Sequence, residues 1–267
     1  MIAVNSDPAR RHETLVSRQF SPQAEAYVAS AVHAQGEDLD FLSTLMAGRG
    51  AARVLDLGCG GGHVSFTVAP HVAEVVAYDL STSMLEAVNA EAARRGLTNI
   101  ETVWGTAEEL AFPEQSFDAV VSRYSAHHWR DLKAGLAHAR RVLKPSGRAI
   151  FMDVIAPADP LADTFLQSIE LLRDPSHVRD YSVAEWGVAA REAGFEVQNV
   201  VVRRLRLEFL SWITRIATPD LHVAAIRSLQ ALASKEVRGH FALEPEGTFT
   251  VDTMTLSLAP VDLPVVA

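Results

Sequence analysis

The run Val54-Leu55-Asp56-Leu57-Gly58-Cys59-Gly60-Gly61-Gly62-His63 constrains the fold most, because an apolar strand ends there in an acid and closely spaced glycines open onto a helix. Glycine serves where a turn demands positive φ, or where a side chain would hold the backbone away from a ligand. A helix that starts there offers unpaired N–H groups to a carboxylate or phosphate. The spacing is D-x-G-x-G-x-G from Asp56 to Gly62; the dinucleotide pattern G-x-G-x-x-G would put its third glycine at position 63, where His63 stands. A second acid, Asp79, closes the next apolar run, Val75-Val76-Ala77-Tyr78, at about the separation expected of a residue that hydrogen-bonds ribose hydroxyls. Together they read as a nucleotide-type cofactor loop; the plain alternative is an ordinary tight strand-to-helix turn.

Downstream the pattern alternates. Strands are expected over 53–57, 74–79, 100–104, 117–123 and 148–153, with helices over 63–69, 82–95 and 132–143, the last stopped by Lys144-Pro145-Ser146-Gly147. Such alternation predicts a parallel sheet with right-handed crossovers, helices on both faces, and ligands outside the carboxyl ends of the strands. Before it, the segment 21–45 opens with Ser21-Pro22, an N-cap and first helical position, and is expected to form one or two helices. Two insertions interrupt the later part. One, 159–185, starts at Asp159-Pro160, runs helically to Arg173 and ends in the loop Asp174-Pro175-Ser176-His177; the other, 211–238, looks helical. Further candidate strands lie at 195–208 and 248–258. In the first of them Leu205, Leu207 and Phe209 would face the core while Arg204, Arg206 and Glu208 face solvent, so this arginine-rich stretch is a half-buried strand rather than a basic patch.

Net charge narrows the partners. The formal charge of −9 over 267 residues opposes a broad phosphate-binding surface, since nonspecific nucleic-acid affinity comes mostly from Lys and Arg neutralising phosphates. The single cysteine, Cys59, cannot form an intrachain disulfide and suits a packing role in the glycine loop. The first twenty residues lack the apolar core of a signal peptide, no stretch approaches a membrane span, and a cytoplasmic location is expected.

The segments VLDLGCGGGH, AYDLSTSML, GTAEELAFPEQSFDAVVSRYSAHHW and RVLKPSGRAIFMDV together resemble the class I S-adenosylmethionine-dependent methyltransferases. The resemblance is to the small-molecule family that includes the ubiquinone and menaquinone biosynthesis methyltransferases, and it runs from about Gln19 to Phe195. The SRYSAHHW and LRDPSHVR segments resemble an uncharacterised bacterial branch, which supplies a reaction type and no acceptor. The resemblance implies a Rossmann-like α/β fold with a seven-stranded, mostly parallel sheet whose last strand is antiparallel. It implies one domain over 1–267, with an N-terminal helical lid at about 19–47, a cofactor-binding core at about 51–155, and inserted helices near the active site.

For the cofactor, S-adenosylmethionine with S-adenosylhomocysteine as product, the resemblance places the backbone of Gly58 and Gly60 at the methionine end and Asp79 on the ribose hydroxyls. Leu80 and Met84 would pack on adenine. Ala107 N–H and Glu108 would read the adenine edge, where Thr106 replaces the usual acid; Glu108 is equally a solvated turn residue. Asp56 either supports the glycine loop or meets the ligand ammonium through water. Arg123 either meets a carboxylate or substrate anion or forms a surface ion pair. Tyr27 and His33 resemble lid residues that exclude water.

Methyl transfer requires mainly that the acceptor atom be held in line at near-attack distance in a dry site. A base matters only when the acceptor carries a proton that must leave. His127 and His128, beyond the fourth expected strand and followed by Trp129, suit that task near neutrality, or else are packed and exposed loop residues. No supporting ligand spacing favours a metal there. Asp153, ending the fifth strand, is the next base candidate or a structural turn acid. Arg173, Asp174, His177, Arg179 and Trp186 from the first insertion line an acceptor pocket or form a loop ion-pair network. The function so read is methylation of a small molecule, on carbon or oxygen rather than nitrogen. The competing reading is an S-adenosylmethionine-binding regulatory or partner protein without catalysis, which the binding features alone do not separate. A nicotinamide dehydrogenase is opposed by His63 and a nucleic-acid methyltransferase by the charge. A homodimer stays open.

Overall fold

A computed structural model describes residues 8–24, 28 and 35–261. Tyr27 and His33 lie outside the described residues. Helices α1 (Pro8–Phe20) and α2 (Glu37–Met46) precede strand β1 (Arg53–Leu57), helix α3 (His63–Val68), β2 (Glu74–Asp79), α4 (Thr82–Arg94), β3 (Ile100–Trp104) and β4 (Phe117–Arg123). Then follow α5 (Leu132–Val142), β5 (Leu143–Ile155), α6 (Pro160–Arg173), α7 (Val183–Glu192), β6 (Phe195–Leu207), α8 (Phe209–Thr214), α9 (Asp220–Leu232), α10 (Lys235–His240) and β7 (Phe249–Pro260). The strands form one seven-stranded sheet in the order β3-β2-β1-β4-β5-β7-β6. The pairs β1 with β2 and β4, β2 with β3, and β4 with β5 are parallel, whereas β7 runs antiparallel to both β5 and β6. The strand order reverses between β1 and β4, which opens a crevice at their carboxyl ends.

Both faces of the central strands β1, β4 and β5 are covered, as their continuous apolar character requires. Val54, Ala119, Val121, Ile150 and Met152 pack with Leu39, Leu42 and Met46 of α2 and Val64 and Val68 of α3. Their sequence neighbours Leu55, Leu57, Val120, Ala149 and Phe151 pack on the other face with Leu132, Leu136 and Ala139 of α5 and Trp186, Ala189 and Ala190 of α7. This is the two-residue period of a strand, buried on both sides. A further core joins Leu166 and Ile169 of α6 to Trp212, Ile226, Val237 and the hairpin residues Leu207, Phe249 and Val251. The two insertions therefore pack against each other at one end of the β6–β7 hairpin.

Two local differences from the sequence pattern have physical causes. Lys144-Pro145-Ser146-Gly147 does not separate a helix from a strand; β5 already begins at Leu143 and its register on β4 jumps from Phe117↔Leu143 to Ala119↔Arg148. The turn is absorbed as an irregularity, and Gly147 is pressed in so that a Cβ there would lie 2.6 Å from Leu143 Cδ1 and 3.0 Å from Asp118 O. Helix α7 was not expected as a separate element, although Ser182 and Glu185 form the capping box that announces it.

Candidate active site

A cavity of about 660 Å³ opens at the carboxyl ends of the central strands and extends under α1 and the insertions. At its sequence-legible end, Gly58 and Gly60 take φ of 73° and 48°, conformations that cost a Cβ-bearing residue energy. A Cβ on Gly58 would also lie 1.9 Å from Ser125 Oγ, so the glycine loop is seated directly against the loop that follows β4. Gly58 N and Cys59 N both donate to Tyr78 O, at 2.8 and 3.0 Å. Gly60 N donates to Asp79 Oδ2 and Ser81 N to Asp79 Oδ1, each at 2.8 Å. These bonds orient Asp79 and leave each carboxylate oxygen further acceptor capacity in the cavity it lines. Burial raises the Asp79 carboxyl while the N–H bonds pull it back.

Asp56 takes the supporting role: Oδ2 accepts from Ser65 N at 3.0 Å and Ser65 Oγ at 2.6 Å, tying β1 to α3. Burial pushes its carboxyl up to about 7 against those two bonds. Leu80, Met84, Ala107 and Glu108 line the same end. Glu108 is not merely solvated, since its Oε1 accepts from Arg130 N at 2.8 Å and joins the loops after β3 and β4. Arg123 also lines the cavity, but its Nε donates to Asp38 Oδ2 at 2.5 Å with side chains only 7% and 12% exposed. It forms an ion pair, as one alternative held; the pair is buried rather than on the surface, and it anchors α2 to β4.

The other end is built around the loop Tyr124–Trp129. Tyr124 has φ of 52°, a left-handed backbone for a bulky residue at the strand's exit, and it turns the chain toward the histidines. His127 Nδ1 and Asp153 Oδ1 are 2.6 Å apart, and His127 N also donates to Asp153 Oδ2 at 3.3 Å. Burial opposes a charge on this ring, but the Asp153 charge and hydrogen bond outweigh it and carry His127 to about 9. Neither histidine therefore titrates near neutrality, contrary to expectation. His128 is lowered to about 4 by burial and then by the charge of His127, 4.2 Å away ring to ring. Its Nδ1 lies 3.2 Å from Ser176 O, so the neutral ring carries its proton on Nδ1. Asp153, 2% exposed, does not line the cavity and stands behind His127.

The insertions close this end. Val178 N and Arg179 N donate to His127 O at 2.8 and 3.2 Å, fastening the loop after α6 to the histidine loop. From α1, His12 Nε2 donates to His128 O at 2.9 Å and Phe20 packs edge-on against the His128 ring at 5.0 Å. Of the insertion residues expected at the pocket, Arg173 and Asp174 line it. His177 stays behind, 2.9 Å from Gln167 Oε1; Arg179 is spent on Asp163 and Glu185; Trp186 is 1% exposed in the core. In their place stand Glu170 and Asp180, with Leu205, Leu207 and Trp212 as apolar wall. The half-buried strand signal in β6 pointed to the two leucines; nothing in the local sequence marked Asp180. Among the described residues no cluster of three or more His, Cys, Asp or Glu side chains is arranged to hold a metal, and no helix is long and apolar enough to cross a membrane.

A family model described as a methyltransferase domain matches residues 55–151, the span from β1 to β5 that carries the glycine loop, Asp79 and the histidine pair. The uncharacterised protein YafE of Escherichia coli K12 is 50% identical over 191 residues, 72% of this chain and 92% of its own length. The uncharacterised methyltransferase YcgJ of Bacillus subtilis is 37% identical over 224 residues, 84% of this chain and 88% of its own. The crystal structure of YcgJ matches with a TM-score of 0.81 at 32% identity, over 85% of this chain and 99% of that one. A 2-phytyl-1,4-naphtoquinone methyltransferase of Synechococcus elongatus is 36% identical over 120 residues, 43% of this chain and 51% of its own. The sheet order and the site at its switch point are those of a class I, Rossmann-like methyltransferase. The chain belongs to the methyltransferase family.

Proposed function

We propose that the protein transfers a methyl group from S-adenosylmethionine to a proton-bearing carbon or oxygen of a small molecule. The observation that carries this is the continuity of one cavity from the Gly58–Gly60 loop and Asp79 to His127. The residues present suit the donor. The open backbone at Gly60, where a Cβ would meet nothing within 4 Å, suits the methionine end. The outward acceptor capacity of Asp79 suits ribose hydroxyls, and Leu80, Met84 and Ala107 offer an apolar slot for adenine. When bound, the donor supplies a methyl group on a sulfonium, an excellent leaving group.

What the chain must add is position, dryness and a place for the acceptor's proton. Phe20, Trp129 and Trp212 bound the cavity and limit water. His127 Nδ1 is committed to Asp153, which leaves the Nε2 edge of the ring for the acceptor. In its neutral form this ring is a stronger base than an isolated histidine, because Asp153 stabilises the imidazolium that forms. Its proton uptake sets a pH dependence: the rate rises with pH as the neutral fraction grows, is half-maximal near pH 9 and levels above it. The charge of −9 supports a small acceptor over a nucleic acid, and the named quinone methyltransferase among the relatives supports carbon or oxygen chemistry.

The test is transfer of labelled methyl from S-adenosylmethionine into the small-molecule fraction of a cell extract, with generic tRNA as the competing acceptor. Label in small molecules that disappears with His127→Gln is expected. Label in tRNA alone, or no transfer by the purified protein, contradicts the proposal.

A further inference from the structure

Asp180 is 2% exposed, yet it lines the cavity, and its Oδ2 has no hydrogen-bond partner among the described residues. Its place is fixed by the backbone: Asp180 N donates to Gln167 Oε1 at 3.1 Å, and Gln167 Nε2 donates to Asp180 O at 2.9 Å. The nearby His177 Nε2 is 3.9 Å from Oδ2, too far to bond, and already stands 2.9 Å from Gln167 Oε1. The backbone is thus pinned at the cavity wall, and Oδ2 of the side chain is left without a partner among the described residues.

The charges facing it come from several elements. Glu170 and Asp163 on α6 and Asp153 on β5 disfavour a second negative charge, and His127 favours one. His127 is already paired with Asp153 at 2.6 Å. Arg173 lies 3.6 Å from Glu170 Oε2 and donates from Nε to Trp212 O; Arg179 is bound to Asp163 and Glu185. Burial, with Glu170 adding repulsion, pushes the Asp180 carboxyl well above the ordinary carboxylate range, and Glu170 is itself raised by burial. Keeping the proton costs less than burying a carboxylate whose neighbouring cations are engaged elsewhere. The result is an O–H donor with no acceptor, a cost relieved when a ligand supplies one.

We propose that the Asp180 carboxyl recognises the methyl acceptor by donating a hydrogen bond to a neutral carbonyl oxygen. An anionic group would meet Glu170 and Asp174 at this end, and an ammonium would meet the His127 imidazolium; a carbonyl meets neither penalty. The assignment rests on the methyltransferase reading and deepens it. When the acceptor gives its proton to His127 Nε2, the electron pair left behind delocalises onto the carbonyl oxygen, and the Asp180 hydrogen bond strengthens there.

The experiment uses three bicyclic probes of one shape: 1-tetralone with a carbonyl, tetralin with no oxygen, and 1-aminotetralin with an ammonium. Each is titrated by NMR against the full chain, with and without saturating S-adenosylhomocysteine, using wild type, Asp180→Asn and Asp180→Ala. Wild type is expected to bind the ketone at least about tenfold tighter than tetralin, Asp180→Asn to keep most of that preference through its amide N–H, and Asp180→Ala to reduce it to about twofold or less. The infrared difference between wild type and Asp180→Asn at pH 7 is expected to show the carbonyl band of a protonated carboxyl, a readout that needs no ligand and no alanine variant. A ketone that binds no better than tetralin, or not at all, overturns the proposal. So does a ketone preference that survives in Asp180→Ala, preference for the ammonium probe with equal losses in both variants, or a carboxylate band in the infrared. Failure of S-adenosylhomocysteine to bind is read separately and strikes the methyltransferase reading, not the carbonyl selectivity.

Discussion

At one end the cavity is lined by the carboxyl ends of β1, β2 and β3 and the short turns that leave them; at the other by the loop after β4, by α6 and its following loop, and by β6. The first end uses backbone groups and two carboxylates whose partners lie in the turns and helix starts beside them: Asp56 with Ser65 of the same unit, and Asp79 with Ser81 N and with Gly60 N of the adjacent unit. The second uses side chains whose partners come from distant segments: His127 with Asp153, His128 with Ser176, and His128 O with His12. On the proposed reading, binding rests on the turns at the strand ends and chemistry on contacts between segments distant in the chain. The two functions should separate under mutation.

The largest expected separation is at His127. His127→Gln should lower methyl transfer by about two to four orders of magnitude while S-adenosylhomocysteine affinity stays within about twofold. Equal losses in both, read by label transfer and calorimetry, would break the comparison.

The same residue makes the second end pH-sensitive in stability. His127 is raised in the folded state to about 9 from an ordinary value of 6.5, so the stability it contributes is complete below about pH 6.5 and is lost as pH rises through about 9. Denaturant unfolding should show a decline of at most about 3 kcal/mol over that window, larger in wild type than in His127→Gln. A curve unchanged by the substitution would remove the charged dyad from the account.

A smaller effect belongs to the first end. Asp79→Ala should weaken S-adenosylhomocysteine binding by about 1 to 3 kcal/mol, the cost of leaving ribose hydroxyls and Gly60 N without their acceptor. The denaturation profile between pH 6.5 and 9 should keep its wild-type shape. Smallest of all, Glu108→Gln keeps an acceptor for Arg130 N and should change that affinity by less than about 1 kcal/mol, checked by the same calorimetry.

The contrast also explains what the amino-acid order disclosed. The glycine loop, Asp79 and the strand alternation are local patterns, since each depends on residues a few positions apart or on a two-residue period, and the structure places them at one crevice. The histidine pair was visible as a chemical possibility, but the shift of His127 away from neutrality was not, because it arises from the charge and hydrogen bond of Asp153 on another strand, which outweigh the opposing effect of burial. His177, Arg179 and Trp186 were sensible pocket candidates by composition; packing turned them toward Gln167, Glu185 and Phe151 instead. Helix α1 was missed because its sequence is largely polar and its contacts, Gln19 with Ile216 O and Phe20 with His128, are made across the fold.

The central claim, that one end holds the sulfur ligand and the other acts on the acceptor, is tested most directly by calorimetric titration of S-adenosylhomocysteine and NAD into wild type, Gly58→Ala and His127→Gln. One site for S-adenosylhomocysteine is predicted in wild type and His127→Gln, with binding lost in Gly58→Ala, whose Cβ would collide with Ser125, and none of the three binding NAD. Comparable NAD affinity, or no S-adenosylhomocysteine binding by wild type, would contradict it.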